Sequence, residues 1–218
     1  MLFACGQKGY TIKGTITGDS VTIKDGTAML YNPAGQIMID TTKITDGRFE
    51  FKGDNIKPGS YAIYVRDAKG AIPIFLEDGK FTVEADIDKL ASAMVKGGET
   101  QNLNNLVRKK REEIFPGNEY NALQEELMTD ISEERRAEIN DFLQKGAKEF
   151  DAYKLELAKK NPDSFYAATY IMYNYTFLPH EEAKPLIENV LNNKKFENYK
   201  KIDVLRQYVE NMKHQGKW

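Results

Sequence analysis

The sequence predicts an α+β chain, with an N-terminal all-β sandwich of about seven antiparallel strands followed by an all-helical segment. Three observations lead there. From Tyr10 to about Glu84, short runs alternate apolar and polar residues, and Gly, Pro, Asn and Asp punctuate them. After Gly97-Gly98 the apolar spacing lengthens to three and four residues, the period of a helix. With 218 residues and 41% hydrophobic composition, the chain can bury a sizeable core in two units of ordinary domain size. The expected division is 1–9 as a tether, 10–98 as the sandwich and 99–218 as the helical unit.

The strand runs are Tyr10 to Thr17, Thr27 to Asn32, Gln36 to Thr42, Arg48 to Lys52, Ser60 to Arg66, Ile72 to Leu76 and Lys80 to Ala85. Between them lie Asn32-Pro33-Ala34-Gly35, Asp46-Gly47, Lys57-Pro58-Gly59 and Glu77-Asp78-Gly79. Each supplies the fixed φ of proline or the positive φ that glycine tolerates, which is turn chemistry. Phe49 and Phe51 share one face of their strand, as do Tyr61, Ile63 and Val65 of theirs. These five are core candidates.

In the helical half, Thr100 is placed to cap a helix through Leu103, Leu106 and Val107 towards Ile114, which Pro116-Gly117 stops. Ser132 with Glu133-Glu134 starts a second helix, its acidic residues at the positive end of the dipole. That helix carries Ile139, Phe142, Leu143, Ala147, Phe150, Tyr153 and Leu157 before Asn161-Pro162 ends it. Three shorter helices are expected near Ser164 to Tyr175, Glu181 to Leu191 and Tyr199 to Met212.

Composition excludes several functions. The 31 basic residues nearly cancel 33 acidic ones, so the phosphate-neutralising patch of a nucleic-acid binder is missing. Arg108-Lys109-Lys110-Arg111 is followed at once by Glu112-Glu113 and reads as a solvated helix face. One cysteine rules out an internal disulfide, a C-x-x-C pair and a cysteine-rich zinc site. No apolar stretch is long enough for a membrane helix.

That cysteine, Cys5, follows Leu2-Phe3-Ala4 and precedes polar Gly6-Gln7-Lys8. The pattern resembles the lipobox of bacterial lipoproteins, in which a peptidase cuts before the cysteine and its thiol takes a diacylglycerol thioether. Ala4 supplies the small residue the cut requires and Leu2 the apolar one. Phe3 is bulkier than the family prefers, and the basic and long apolar regions of a signal peptide are missing ahead of it. The expectation is a lipid-attachment residue at the end of a shortened leader. The alternative is an ordinary cysteine near a terminus.

Further residues carry a resemblance. They are Tyr10-Thr11-Ile12-Lys13-Gly14-Thr15-Ile16, Ile39-Asp40-Thr41-Thr42, then Asp46-Gly47-Arg48-Phe49-Glu50-Phe51-Lys52-Gly53. Pro73-Ile74-Phe75-Leu76-Glu77-Asp78-Gly79 and Asn161-Pro162-Asp163-Ser164 complete the set. Together they resemble the N-terminal region of bacterial envelope lipoproteins whose C-terminal domain is thioredoxin-like, of the TlpA, ResA and peroxiredoxin-related kinds. The likeness spans essentially the whole chain, although each motif is structural. It implies a membrane-anchored envelope protein facing the periplasm or exterior, involved in envelope redox homeostasis, with a Trp-Cys-x-x-Cys domain after the last helix. No position here matches those cysteines. The expectation is therefore an accessory half without a catalytic residue or cofactor of its own, cut from a longer protein. The competing expectation is a free-standing lipoprotein that binds a small ligand or a protein partner.

The remaining candidates are sparse. His180 and His214 are the two histidines, too few for a His-based triad or multi-histidine metal site. Asp86 and Asp88, with Glu84, would put carboxylates on one side of an extended segment, without the further oxygen ligands of a calcium loop. Tyr166, Tyr170 and Tyr173 fall at helical spacing with Phe165 and Phe177 nearby. Such a stripe either lines a groove for an apolar ligand or partner helix, or is simply core.

Overall fold

The computed structural model describes residues 9–18 and 25–218. Two compact units divide the chain, Met1–Asn102 and Leu103–Trp218. The expected α+β organisation, β first and helices after, is what the chain adopts.

The first unit holds eight strands: β1 (Tyr10–Thr17), β2 (Asp25–Asn32), β3 (Ile37–Thr45), β4 (Arg48–Gly53), β5 (Gly59–Val65), β6 (Ile72–Leu76), β7 (Gly79–Asp86) and β8 (Met94–Lys96). They form one sheet in the order β6-β5-β2-β3-β4-β1-β7-β8. β3 and β4 are joined by the tight Asp46-Gly47 turn, both residues at positive φ (48° and 74°) as a type I′ hairpin requires. Beyond that turn their ladder consists of the single pair Thr45–Arg48. The sheet folds over along this seam into two four-stranded leaves. Ala28, Leu30, Ile63 and Ile72 of one leaf share a single apolar cluster with Ile12, Phe51, Phe81 and Val83 of the other.

Alternation is what builds this core. Tyr10, Ile12 and Ile16 of β1, Phe49 and Phe51 of β4 and Phe81, Val83 and Ala85 of β7 point inward while their neighbours face water. All five core candidates named above are buried. Two details depart from the expected pattern. β1 and β7 run parallel, because the chain between them makes five intervening strands before returning to the free side of β1. The eighth strand, β8, is a three-residue piece paired antiparallel to β7, too short to show alternation.

The helical unit contains α1 (Glu99–Ile114), which begins in the last residues of the first unit, then α2 (Glu119–Leu127), α3 (Glu133–Lys160), α4 (Phe165–Asn174), α5 (His180–Asn192) and α6 (Asp203–His214). Ser132 caps α3 by accepting from the Arg135 amide, and Ser164 caps α4 by accepting from Ala167. α2 escaped the sequence reading, for it buries no residue fully and sets only the half-buried Leu123 and Leu127 against the cluster of Phe115, Ile139 and Leu143. Polar groups also clasp it to α3. The Arg135 guanidinium meets both Glu126 carboxylate oxygens at 2.7 and 3.1 Å, and Arg136 donates to the Leu127 carbonyl at 2.9 Å.

Thr100 does not cap α1, contrary to the sequence reading. The helix begins one residue earlier, at Glu99, and the Thr100 amide and hydroxyl both donate to the Glu77 carboxylate, at 2.7 and 3.3 Å. A carboxylate at a helix N-terminus satisfies a free amide and complements the dipole. Next to it, Gln101 accepts the Phe75 amide at 2.8 Å, using a helical side chain to pair a β6 backbone group.

Candidate functional site

Cys5, the expected lipid-attachment residue, lies outside the described residues. The first described strand begins five positions later, at Tyr10, and Gly9 before it is fixed by donating to Asp78 at 2.9 Å.

The tyrosine stripe of α4 divides. Tyr166 and Tyr170 are 8% and 9% exposed and belong to a cluster with Leu103, Leu157, Ala158 and Ala167. Their rings stack with centroids 6.3 Å apart, and the Tyr166 hydroxyl donates to the Lys154 carbonyl at 3.2 Å. Burial holds both phenols above the ordinary tyrosine range, because desolvation penalises the phenolate. Tyr173 is 67% exposed and does not join them. The spacing sets all three on one side of the helix, but Tyr173 stands in the last turn of α4, beyond the cluster that covers the first two. Opposite this cluster, Phe165 packs edge-on against Phe196 and Tyr199, at 5.2 and 5.1 Å.

Phe177, named with that stripe, is 82% exposed. A further aromatic grouping beyond it was not anticipated. Tyr175 contacts Tyr208 at 4.7 Å, and Tyr208 in turn contacts Trp218 at 6.3 Å. Trp218 also meets His180 edge-on at 5.4 Å and sits under the Lys184 ammonium at 5.1 Å. His180 is the first residue of α5, whose N-cap is Pro179, so it caps nothing through its side chain. Only the fold could reveal this grouping, since its members come from the end of α4, from α5, from α6 and from the residues after α6.

The titratable candidates do not converge. Glu84 and Asp86 lie on the extended β7, but Asp88 does not: a 3-10 helix spans Ile87–Ser92, and the Asp86 carboxylate caps it by accepting from the Asp88 amide at 3.0 Å. Among the described residues no group of three His, Cys, Asp or Glu side chains is placed to hold a metal ion. In the basic run, Lys109 pairs with Glu113 at 3.9 Å and Lys110 with Glu149 at 2.6 Å. No helix among the described residues is long and apolar enough to cross a membrane.

The class that fold and sites define is thus a two-unit α+β protein, its β unit a folded-over eight-stranded sheet. Residues 10–104 match the family described as Domain of unknown function (DUF4369). The match runs from the first residue of β1 into the first turns of α1, so it takes in the whole sheet and the Gln101 contact to β6. Neither the curated proteins nor the solved structures contain a match to the chain.

Proposed function

We propose that this chain is a non-catalytic accessory or binding module of an envelope lipoprotein, tethered to the membrane through Cys5. In this reading it forms the N-terminal half of a thioredoxin-fold, thiol-disulfide oxidoreductase-like protein and holds that redox domain off the bilayer. The observation that carries it is Leu2-Phe3-Ala4-Cys5 standing five residues before the first strand. The likeness of the β motifs to the N-terminal regions of such lipoproteins supports it. Cys5 is also the only thiol, so the module itself offers no dithiol for exchange and the redox step belongs to a partner domain.

Lipidation is tested by expressing the chain behind a complete lipoprotein signal in a bacterial host and partitioning the product in detergent. The parent should enter the detergent phase and Cys5→Ser the aqueous phase; identical partitioning into water would sink the anchor. Sequencing the gene downstream of the Trp218 codon tests the redox half. A Trp-Cys-x-x-Cys domain is expected there, and an immediate stop would remove it. The exposed aromatics Tyr173 and Phe177 favour a second reading, a free-standing lipoprotein that binds a protein partner, which that stop would leave standing.

A further inference from the structure

The β2–β3 hairpin breaks the inside-outside rule that the rest of the sheet obeys. Ile37, Met38 and Ile39 are consecutive and 55%, 48% and 37% exposed. Register explains why. Leu30 pairs with Asp40 but Tyr31 pairs with Met38, leaving Ile39 as an extra residue, a bulge that ends the alternation. On its other side β3 pairs with β4 only at Thr45, so nothing in the ladder covers the tip of the hairpin. Met38 sits opposite Tyr31, whose ring meets Tyr64 edge-on at 5.9 Å, and Tyr64 is itself 39% exposed. Three aliphatic side chains and two tyrosines thus crowd one corner of the unit.

The strand registers fix which corner. Tyr10 pairs with Gly53 and with Gly79, and β4 runs back from the Asp46-Gly47 turn alongside β3. Tyr10 therefore lies at the end of β4 away from that turn, the end at which β3 begins, and the Asp40 charge bears on the Tyr10 phenol. The hairpin tip and the start of β1 lie at the same end of the sheet. From Asp40 to Ile37 the hairpin runs on by three residues, about 10 Å at the rise of a strand. The five residues from Cys5 to Tyr10 span at most about 18 Å when extended. A tether of that reach lets a bilayer anchored at Cys5 meet the tip.

We propose that the β2–β3 hairpin, through Ile37, Met38 and Ile39, lies in the interfacial layer of the bilayer to which Cys5 is tethered and orients the β unit on it. The inference rests on the lipid-anchor reading. Aliphatic side chains beside tyrosines suit that layer, where an apolar body and a polar tip are both accommodated. The charges of this end are mixed, with Lys57 near Asp54, so the contact is apolar and a zwitterionic surface suffices.

The single thiol lets the tether be imposed chemically. Cys5 is coupled to a maleimide-bearing phospholipid in phosphatidylcholine vesicles that contain brominated acyl chains. In a Trp218→Phe background, Met38→Trp or Lys69→Trp places one indole at the hairpin or in the β5–β6 turn at the opposite end. The Met38→Trp emission should shift to the blue and be quenched, and the Lys69→Trp emission should do neither. Adding Ile37→Ser and Ile39→Ser should abolish the quenching while far-UV circular dichroism stays unchanged. Equal quenching at both positions, or quenching at neither, overturns the proposal. So does concentration-dependent self-association without vesicles that those serines remove, which would assign the hairpin to a second copy. Because the coupling bypasses the cell, failed detergent partitioning sinks the lipoprotein reading, whereas failed quenching on coupled vesicles sinks the hairpin contact alone.

Discussion

The β unit and the helical unit bury their apolar residues in different ways. In the β unit one cluster gathers residues from β1 through β8. The helical unit keeps separate clusters. One is built on Leu103, Leu157, Tyr166 and Tyr170, and another on Phe115, Ile139 and Leu143 with Ile114, Leu123, Leu127 and Ile131 around it. The 28-residue α3 runs through both and buries only Ile139, Leu143, Gly146, Leu157 and Ala158. A sheet folded over on itself pools its core, and damage at one point should spread across it. A long helix with local clusters should confine damage to the nearest one.

The strongest way to break this comparison is at Phe51, which is fully buried. Phe51→Ala should cost about 3–5 kcal/mol, with hydrogen exchange accelerating together in β1, β4, β5 and β7. Acceleration confined to β4 would show that the core is not shared. Next is Gly14, whose missing side chain makes room for the Phe49 ring. A Cβ there would lie 2.0 Å from Phe49 Cζ. Gly14→Ala should cost about 1–3 kcal/mol through displacement of that ring, read from the urea midpoint. An unchanged midpoint would mean that the ring moves freely.

Alkaline pH tests the helical side. Tyr166 and Tyr170 titrate above the ordinary value of 10.0, with burial as the leading cause. A phenol whose folded pKa is raised stays neutral in the fold while the unfolded chain ionises. Its stabilisation is intact below pH 10 and is lost as pH climbs from 10 towards the folded value, by on the order of 1 kcal/mol per group in the first unit. Tyr166→Phe should flatten that decline in thermal unfolding measured between pH 9 and 11. The smallest effect belongs to Gly146, where a Cβ would come within 2.4 Å of the Phe115 ring. Helix propensity returns about 1 kcal/mol of the clash, so Gly146→Ala should be nearly neutral. In a Phe115→Leu background it should stabilise, and a double-mutant cycle in guanidinium would expose the coupling.

The same contrast sets what the sequence reveals. Strand alternation at Tyr61, Ile63 and Val65 is a local signal, and so are Asp46-Gly47 and the Ser132 cap; all were legible. The parallel β1–β7 pairing joins residues about seventy positions apart and leaves no local mark. α2 offers only the half-buried Leu123 and Leu127 as an apolar signal, and its clasp by Arg135 and Arg136 comes from another helix. In the tyrosine stripe, helical spacing set the three residues on one side of α4 but did not show that the cluster would stop short of Tyr173. Ile37 to Ile39 looked like an ordinary strand segment. The bulge that exposes them is a property of the pairing with β2.

The Glu77 and Gln101 contacts also govern when the chain can fold as it is made. The Glu77 bond to Thr100 spans 23 residues and the Gln101 bond to Phe75 spans 26. A ribosome that has released the strands only as far as Lys96 has delivered the whole sheet but not the partners of these groups. The β unit therefore completes its buried hydrogen bonding only after the opening of α1 has emerged, so synthesis of the helical unit begins before its predecessor is finished.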